Sequence, residues 1–304
     1  MADHSWRGIF VILITPFRQD LSVDHESLRR QIDFCVEAGV HGVVGPANAS
    51  EFATLSDAER MDWIRTVADA CAGRVPFVAA ANGLHARPAA ELAAWTEAQG
   101  AAGIMAMPPY VLHPNEQGCF DFYRTMAERT SVPIVIQNFI GPVGTPMSSA
   151  LLGQLCRELP MVQYIKAETL PEPRSVTEAL RATGDACKGV FGGQGGVHLL
   201  DEHRRGCCGN MPASQLSPAH VRIWNLLEEG DQVAARTAWN QLLPLIAFER
   251  THGVAAYKEV MRRRGLFATN LSRMPGALLD PEDIQELDAI LELAEPALAS
   301  PSRE

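Results

Sequence analysis

The sequence contains few lysines and no long apolar run. Of its 26 basic residues only three are lysine, namely Lys166, Lys188 and Lys258. Because arginine fills every other basic position, a lysine that has been kept is a candidate for a role beyond surface charge. No run of about 18 apolar residues occurs, so the sequence predicts no membrane-spanning helix.

Patterns typical of disulfide frameworks, metal sites and serine hydrolases are also missing. The seven cysteines are an odd number without Cys-x-x-Cys spacing, which predicts reduced thiols in a cytoplasmic protein. The nine histidines show neither His-x-His nor His-Glu-x-x-His spacing, so we expect no metal. No Gly-x-Ser-x-Gly elbow occurs. The net charge of −10 disfavours nucleic acid and anionic membranes as partners but leaves a small anionic substrate open.

Short apolar runs recur along the first two-thirds of the chain. The eight runs lie at residues 9–14, 40–44, 75–80, 103–107, 133–137, 162–166, 189–191 and 207–211. Apolar character without strict alternation is typical of strands that are buried on both faces. Helical stretches separate the runs, and eight such units predict an α/β protein with a closed (β/α)₈ TIM barrel.

The helical stretches have recognisable boundaries. Ser56 and Glu59 form a capping-box pattern at the start of a helix that Gly73 ends. Further helices are expected at 87–99, 115–129, 147–158, 172–183 and 195–205, and then at 217–229, 231–249, 254–264 and 281–294. Since only helices follow residue 217, we expect two domains, a catalytic barrel over 1–228 and a C-terminal helical domain over 229–304.

Lys166 is the sharpest functional signal. It ends the sixth apolar run, where an ammonium group has to be paired or discharged. A desolvated lysine can be a neutral nucleophile that condenses with a ketone to form a Schiff base. The alternative is a purely structural ion pair between Lys166 and Glu168 or Glu51.

Other polar residues follow the remaining strands, at the end of the barrel where TIM-barrel chemistry occurs. Asn48, the backbone of Ala49 and Ser50 could bind a substrate carboxylate, or they could cap the next helix. Tyr110 is either a hydroxyl donor or an aromatic packing residue. The other candidates at this end are Gln137, Glu168, Gly193, Gln194 and Met211. The glycines around Gln194 either make room for a ligand or allow a tight turn.

Several motifs together resemble one family. Ile14-Thr15-Pro16-Phe17, Ser50–Leu55, Pro108-Pro109-Tyr110 and Ile165-Lys166 are similar to motifs of the dihydrodipicolinate synthase / N-acetylneuraminate lyase superfamily of class I aldolases. This resemblance implies a barrel with a C-terminal helical domain and a catalytic Schiff base through Lys166. It also implies that there is no cofactor, that the substrate is a small 2-keto acid and that the assembly is a homotetramer.

The departures from the family pattern are informative. The family's Gly-Thr-Thr-Gly-Glu loop is Ala47-Asn48-Ala49-Ser50-Glu51 here, and Gln137 replaces the tyrosine that usually ends strand five. An amide cannot transfer a proton as a phenol can. L-2-keto-3-deoxyarabonate dehydratases resemble this chain at these positions and in Lys166-Ala167-Glu168-Thr169, whereas the glycine pattern around Gln194 differs from theirs.

The resemblance therefore implies a Schiff-base dehydratase that converts a linear 2-keto-3-deoxy sugar acid, such as L-2-keto-3-deoxyarabonate, to 2-oxoglutarate semialdehyde. Lys166, Gln137, Tyr110 and Glu168 are its expected catalytic residues. Four alternatives stay open, namely an aldolase that releases pyruvate, a dihydrodipicolinate-synthase-like condensation, a hydroxy-pyrroline-carboxylate deaminase and a keto-acid-binding sensor without activity.

Overall fold

Eight parallel strands form a closed barrel in the computed structural model, which describes residues 6–141 and 143–298. The strands are β1 Gly8–Ile12, β2 Gly42–Gly45, β3 Phe77–Ala80, β4 Gly103–Ala106, β5 Ile134–Phe139, β6 Val162–Glu168, β7 Gly189–Gly192 and β8 Gly209–Asn210. Each strand pairs with the next, and β8 pairs with β1. The predicted (β/α)₈ barrel is thus confirmed.

Helices surround the strands. The barrel helices are α1 His25–Glu37, α2 Asp57–Cys71, α3 Ala86–Ala98, α4 Glu116–Ala127, α5 Ser149–Glu158, α6 Glu172–Thr183, α7 Leu199–Arg204 and α8 Ser217–Glu228. Three more follow them, namely α9 Gln232–His252, α10 Val254–Arg263 and α11 Pro281–Leu298. None of the helices in the described ranges is both long and apolar enough to cross a membrane.

The capping box predicted for α2 is present. The Ser56 hydroxyl accepts a hydrogen bond from the Glu59 backbone N–H at 3.2 Å, and the Glu59 carboxylate accepts one from the Ser56 N–H at 2.9 Å. The helix ends where Ala72 and Gly73 have positive φ angles of 45° and 75°. Since a left-handed residue cannot continue a right-handed helix, the chain turns there toward β3.

The prediction of a continuous helix over 195–205 is wrong. The residues Gln194, Gly195 and Gly196 form a separate short turn whose φ angles of 52°, 69° and 76° are left-handed, and α7 begins only at Leu199. The glycines make this left-handed backbone accessible. In this turn the Gln194 backbone N–H donates a hydrogen bond to Glu168 Oε1 at 3.3 Å.

Two large apolar cores hold the barrel together, and a third, small cluster of Ile14, Met261 and Phe267 packs α10 and the residues after it against the end of β1. The larger of the two cores lies between the strands and the helices, and the other fills the barrel. Inside the barrel Trp6 stacks on Tyr164 with ring centroids 4.8 Å apart, and Phe10 meets the edge of Phe191 at 5.2 Å. Along β6 the alternation that turns Tyr164 inward also turns Lys166 and Glu168 inward, because successive side chains of a strand alternate between its faces.

The predicted division into two domains stays a prediction. Helix α8 ends at Glu228, where the boundary was expected, and α9 to α11 follow it. Residues 1–5, 142 and 299–304 of the two predicted domains lie outside the described residues. Helices α9 and α10 reach over the carboxyl ends of the strands, so the site includes side chains from the barrel and from these helices.

Candidate active site

A cavity of about 320 Å³ lies at the carboxyl ends of the strands. Barrel residues that line it include Ile12, Asn48, Ala49, Gln137, Lys166 and Met211. In a parallel barrel these ends converge, which is why residues far apart in sequence meet here. Seven predicted site residues line this cavity, since Glu168 and Gln194 join five of those just named.

Lys166 and Glu168 form a buried ion pair in the cavity wall. Strand β6 runs through Glu168, so both side chains lie on its inner face. Lys166 Nζ is 3.0 Å from Glu168 Oε1, and each residue is 4% exposed. The structural alternative of pairing with Glu168 is therefore real, but the adjoining cavity leaves room for a ligand at the amine.

Two further hydrogen bonds hold Glu168 in place. Gln137 Nε2 donates to Glu168 Oε2 at 3.0 Å, and the Gln194 backbone N–H donates to Oε1 at 3.3 Å. Gly193 makes room for the carboxylate, since a Cβ atom at this position would lie 2.3 Å from Oε1. Glu168 is thus oriented by three neighbours, one of which is the candidate nucleophile.

Gln137 lies beside Lys166 in the sheet. The two residues are register partners on β5 and β6. Gln137 is 2% exposed, and its Oε1 has no hydrogen-bond partner among the described residues. Its amide nitrogen is therefore used to hold Glu168, while its oxygen remains available to accept a hydrogen bond from a ligand hydroxyl.

The Asn48–Ser50 segment forms a short 3₁₀ turn after β2. Asn48 and Ala49 line the cavity, and Asn48 Oδ1 has no partner among the described residues. Ser50 does not line the cavity. Its hydroxyl accepts a hydrogen bond from the Ala47 N–H at 3.0 Å and donates to the Leu13 carbonyl oxygen, so both contacts are to backbone. Ser50 therefore shapes the loop that presents Asn48 and Ala49.

Two other predicted residues also lie outside the cavity wall. Gly193 contributes space for Glu168 and is not itself part of the lining. Tyr110 lies in a separate cavity of about 520 Å³ with Arg60 and Asn82, and its ring meets the edge of Phe52 at 5.5 Å. The structure thus does not bring Tyr110 together with Lys166.

Sequence reasoning missed the contribution of α9 and α10. Glu249, Arg250 and Tyr257 line the cavity from these helices. The Arg250 guanidinium donates to Gln194 Oε1 at 2.9 Å, which connects α9 to the loop after β7. The sequence carries no distinguishing signal for Glu249 and Arg250, because neighbouring pairs such as Glu59-Arg60 and Glu128-Arg129 have the same residue types and do not line the cavity.

Lys258 has a structural explanation. It is fully buried and pairs with Glu51 Oε1, and it donates to the Leu271 carbonyl oxygen at 2.7 Å. Glu51 Oε2 accepts hydrogen bonds from the Arg273 N–H at 2.9 Å and the Met274 N–H at 3.0 Å. Since Met274 lines the cavity, this buried pair fixes part of the cavity wall.

Burial shifts the pKa of several groups near the site. It raises the pKa of Glu249 to about 8 and that of Glu202 to about 8, and it lowers the pKa of Lys258 to about 8. In each case removal from water disfavours the charged form. Glu249 is therefore mostly a neutral acid at pH 7 within the cavity wall.

The comparisons with known proteins agree with this architecture. The model of the Dihydrodipicolinate synthetase family matches residues 5–294. The chain belongs to this family. Enzymes of the family use a lysine Schiff base and no metal or other cofactor, and the chain is a lyase of the class I aldolase type. No group of three or more metal-binding side chains occurs in the described ranges.

Individual relatives carry two activities. The chain is 32% identical to an L-2-keto-3-deoxyarabonate dehydratase of Azospirillum brasilense, over 95% of each chain. It is 31% identical to a 4-hydroxy-tetrahydrodipicolinate synthase of Chlorobium luteolum, over 96% of this chain and 99% of the relative. The solved dihydrodipicolinate synthase of Rhodopseudomonas palustris has a TM-score of 0.87 at 26% identity, over 94% of this chain and 97% of the other.

Proposed function

We propose that the protein is a Schiff-base dehydratase of a linear 2-keto-3-deoxy sugar acid, with L-2-keto-3-deoxyarabonate as its substrate. The observation that carries this proposal is the arrangement of three side chains on β5 and β6. A carboxylate, Glu168, contacts the candidate nucleophile Lys166, while an amide, Gln137, stands where the family's tyrosine is expected. The similarity to the Azospirillum brasilense dehydratase supports the same assignment.

The first step forms the covalent bond. Lys166 passes a proton to Glu168 Oε1 and, as a neutral amine, attacks the C2 ketone of the substrate. Glu168 returns that proton to the departing oxygen of the resulting carbinolamine, so the loss of water gives an iminium ion and leaves Glu168 as a carboxylate. Asn48 and the Ala49 backbone N–H lie on the cavity wall after β2, opposite β6 in the barrel, and hold the substrate carboxylate.

The second step eliminates the C4 hydroxyl. The iminium ion makes the C3 proton acidic, and its removal gives an enamine whose electron pair forms the C3–C4 double bond as the hydroxyl leaves. Glu168 is the acid-base group within reach, because it is held against Lys166; as a carboxylate it takes the C3 proton and then passes it to the leaving C4 oxygen. Gln137 Oε1 accepts a hydrogen bond from that hydroxyl.

The last steps conserve the carbon chain. Loss of a C5 proton and protonation at C3 move the double bond to C4–C5, which gives an enol. Tautomerisation of the enol to an aldehyde and hydrolysis of the Schiff base release 2-oxoglutarate semialdehyde and restore Lys166. The net change is the loss of one water molecule, and no carbon–carbon bond is broken.

Borohydride trapping combined with product analysis tests the proposal. We expect that L-2-keto-3-deoxyarabonate followed by borohydride leaves a mass adduct on Lys166, and that turnover yields the semialdehyde. The Lys166→Ala variant is the control, and we expect it to form no adduct and to have no measurable activity. Absence of an adduct with any 2-keto acid tested would contradict Schiff-base chemistry, whereas pyruvate as the product would identify an aldolase.

The assembly and location are part of the same proposal. We propose a cytoplasmic homotetramer, as is typical of this family. Val111 and Leu112 on the loop after β4 are 62% and 84% exposed, and apolar side chains this exposed favour a subunit contact. Light scattering of the purified protein measures the assembly directly.

A further inference from the structure

We propose that Glu249 is a specificity-determining residue that hydrogen-bonds the terminal hydroxyl group of a sugar acid bound covalently to Lys166. This inference rests on the proposed function and adds a recognition element at the far end of the cavity. No catalytic step described above uses Glu249.

The position of Glu249 supports this role. It lies near the end of α9 and lines the cavity together with Ile246, Arg250 and Gly253. Residues three and four positions apart share a helix face, so this part of α9 presents one continuous surface to the ligand. With the substrate carboxylate at Asn48 and C2 at Lys166, the rest of the chain extends under this surface.

The chemistry of Glu249 fits a hydroxyl group. Glu249 is 2% exposed, and its Oε1 has no hydrogen-bond partner among the described residues. The Gln215 side chain hydrogen-bonds its carboxyl group, and burial raises its pKa to about 8 even though Gln215 and the nearby cation Arg264 act to lower it. A neutral carboxylic acid can donate and accept, as a hydroxyl can, so the two groups satisfy each other.

The neighbouring groups explain why a hydroxyl is favoured over a second carboxylate. Arg250 is the nearest cation in the sequence, but its guanidinium is already bound to Gln194 Oε1 and lies 4.0 Å from Glu172. Tyr257, which also lines the cavity, supplies a second neutral polar group. Arg250 lines this end of the cavity as well, but because its guanidinium is engaged by Gln194 and Glu172, the groups left to bond the occupant are the neutral Glu249 and Tyr257.

The affinity of each ligand is measured as the concentration dependence of borohydride-trapped adduct on Lys166. The ligands are L-2-keto-3-deoxyarabonate and 2-oxopentanoate, which has the same length without hydroxyl groups. We expect Glu249→Leu to lower the affinity for the sugar acid about tenfold or more, because the sugar acid loses a hydrogen bond. The affinity for 2-oxopentanoate, which makes no such bond, should stay within about twofold of the wild-type value. The Glu249→Gln variant keeps a donor and an acceptor, so we expect a smaller change in the affinity ratio, defined as the affinity for the sugar acid divided by that for 2-oxopentanoate.

Glu202→Gln is the matched control. Glu202 is another buried carboxyl group whose pKa is raised to about 8, but it bonds Asn210 at 2.8 Å and does not line the cavity. We expect its affinity ratio to equal that of the wild type. An unchanged ratio in folded Glu249→Leu would overturn the inference and would leave Glu249 only as a partner of Gln215.

Two further results complete the test. If Glu249→Leu does not fold, the wild type is compared with the 5-deoxy analogue of the sugar acid, and equal affinity for the two ligands overturns the inference. Failure of the wild type to form an adduct with any 2-keto acid overturns the proposed function as well. Adduct formation with an unchanged ratio overturns only the role of Glu249.

Discussion

In the proposed mechanism, Glu168 performs the proton transfers for which the family pattern provides a tyrosine. Its carboxylate contacts Lys166 at 3.0 Å and is held by Gln137 at 3.0 Å. A tyrosine exchanges a proton through one oxygen, whereas a carboxylate can accept a proton at one oxygen while the other stays hydrogen-bonded. This geometry lets one residue serve both the nucleophile and the leaving group.

We therefore expect Glu168→Gln to lower kcat for dehydration by about 10²–10⁴-fold, which is the usual contribution of a general acid-base group. The amide has nearly the same shape but cannot take the proton of Lys166. Steady-state assays of semialdehyde formation measure this loss. Glu172→Gln is a nearby control, and a kcat for Glu168→Gln close to that of the wild type would show that another group moves the proton.

Some residues of the site follow from the sequence pattern and others do not. Lys166, Gln137 and Glu168 were predicted because they end buried strands, and strand alternation fixes their direction. Ser50 and Tyr110 lie in loops after strands, where local contacts, and not strand alternation, decide the direction of each side chain. The Ser50 hydroxyl is used by the backbone of Ala47 and Leu13, and no pattern of residue types reveals that.

At the scale of elements, the buried pair of Lys258 and Glu51 connects α10 to the loop after β2. The pair also holds the Arg273 and Met274 backbone through Glu51. Removing one partner leaves an uncompensated charge away from water, which is costly. The stability of the cavity wall near Met274 thus depends on an interaction far from Lys166 in sequence.

We expect Lys258→Met to reduce the free energy of unfolding by about 3–5 kcal/mol. The Glu51→Gln/Lys258→Met double variant removes both charges, so it should recover part of this loss. Chemical denaturation monitored by circular dichroism measures both. If Lys258→Met is as stable as the wild type, the Lys258–Glu51 pair does not anchor the backbone at Arg273 and Met274.

The elements themselves were largely predictable. All eight strands and the capping box of α2 follow from apolar runs and from one local hydrogen-bond pattern. The helix expected over 195–205 was wrong because periodicity does not report the left-handed backbone of Gln194, Gly195 and Gly196. The approach of α9 to the barrel mouth is a tertiary contact, so the sequence pattern alone could not reveal it.

On the scale of the whole molecule, buried ionisable groups make stability depend on pH. The pKa of Glu202 is raised to about 8 by burial, from an ordinary value of 4.5. Below pH 4.5 the carboxyl is protonated in both the folded and the unfolded states, so it has no effect. As the pH rises from 4.5 to 8, only the unfolded state releases the proton, and stability falls.

We expect Glu202→Gln to remove this dependence. Between pH 5 and 8 its unfolding free energy should fall less steeply than that of the wild type, by at most about 1.4 kcal/mol per pH unit. Thermal or chemical denaturation across this range provides the measurement. The exposed Glu37→Gln serves as the control, and parallel curves for Glu202→Gln and the wild type would contradict the predicted linkage.

Gly193 has a consequence for how such enzymes diverge. A methyl group there would lie 2.3 Å from the Glu168 carboxylate and would displace it from Lys166. One base substitution converts any glycine codon to an alanine codon. In the proposed mechanism Glu168 carries the proton, so a descendant with that change would keep its barrel and its cavity, and a single mutational step would separate the proposed catalyst from a protein that only binds its ligand.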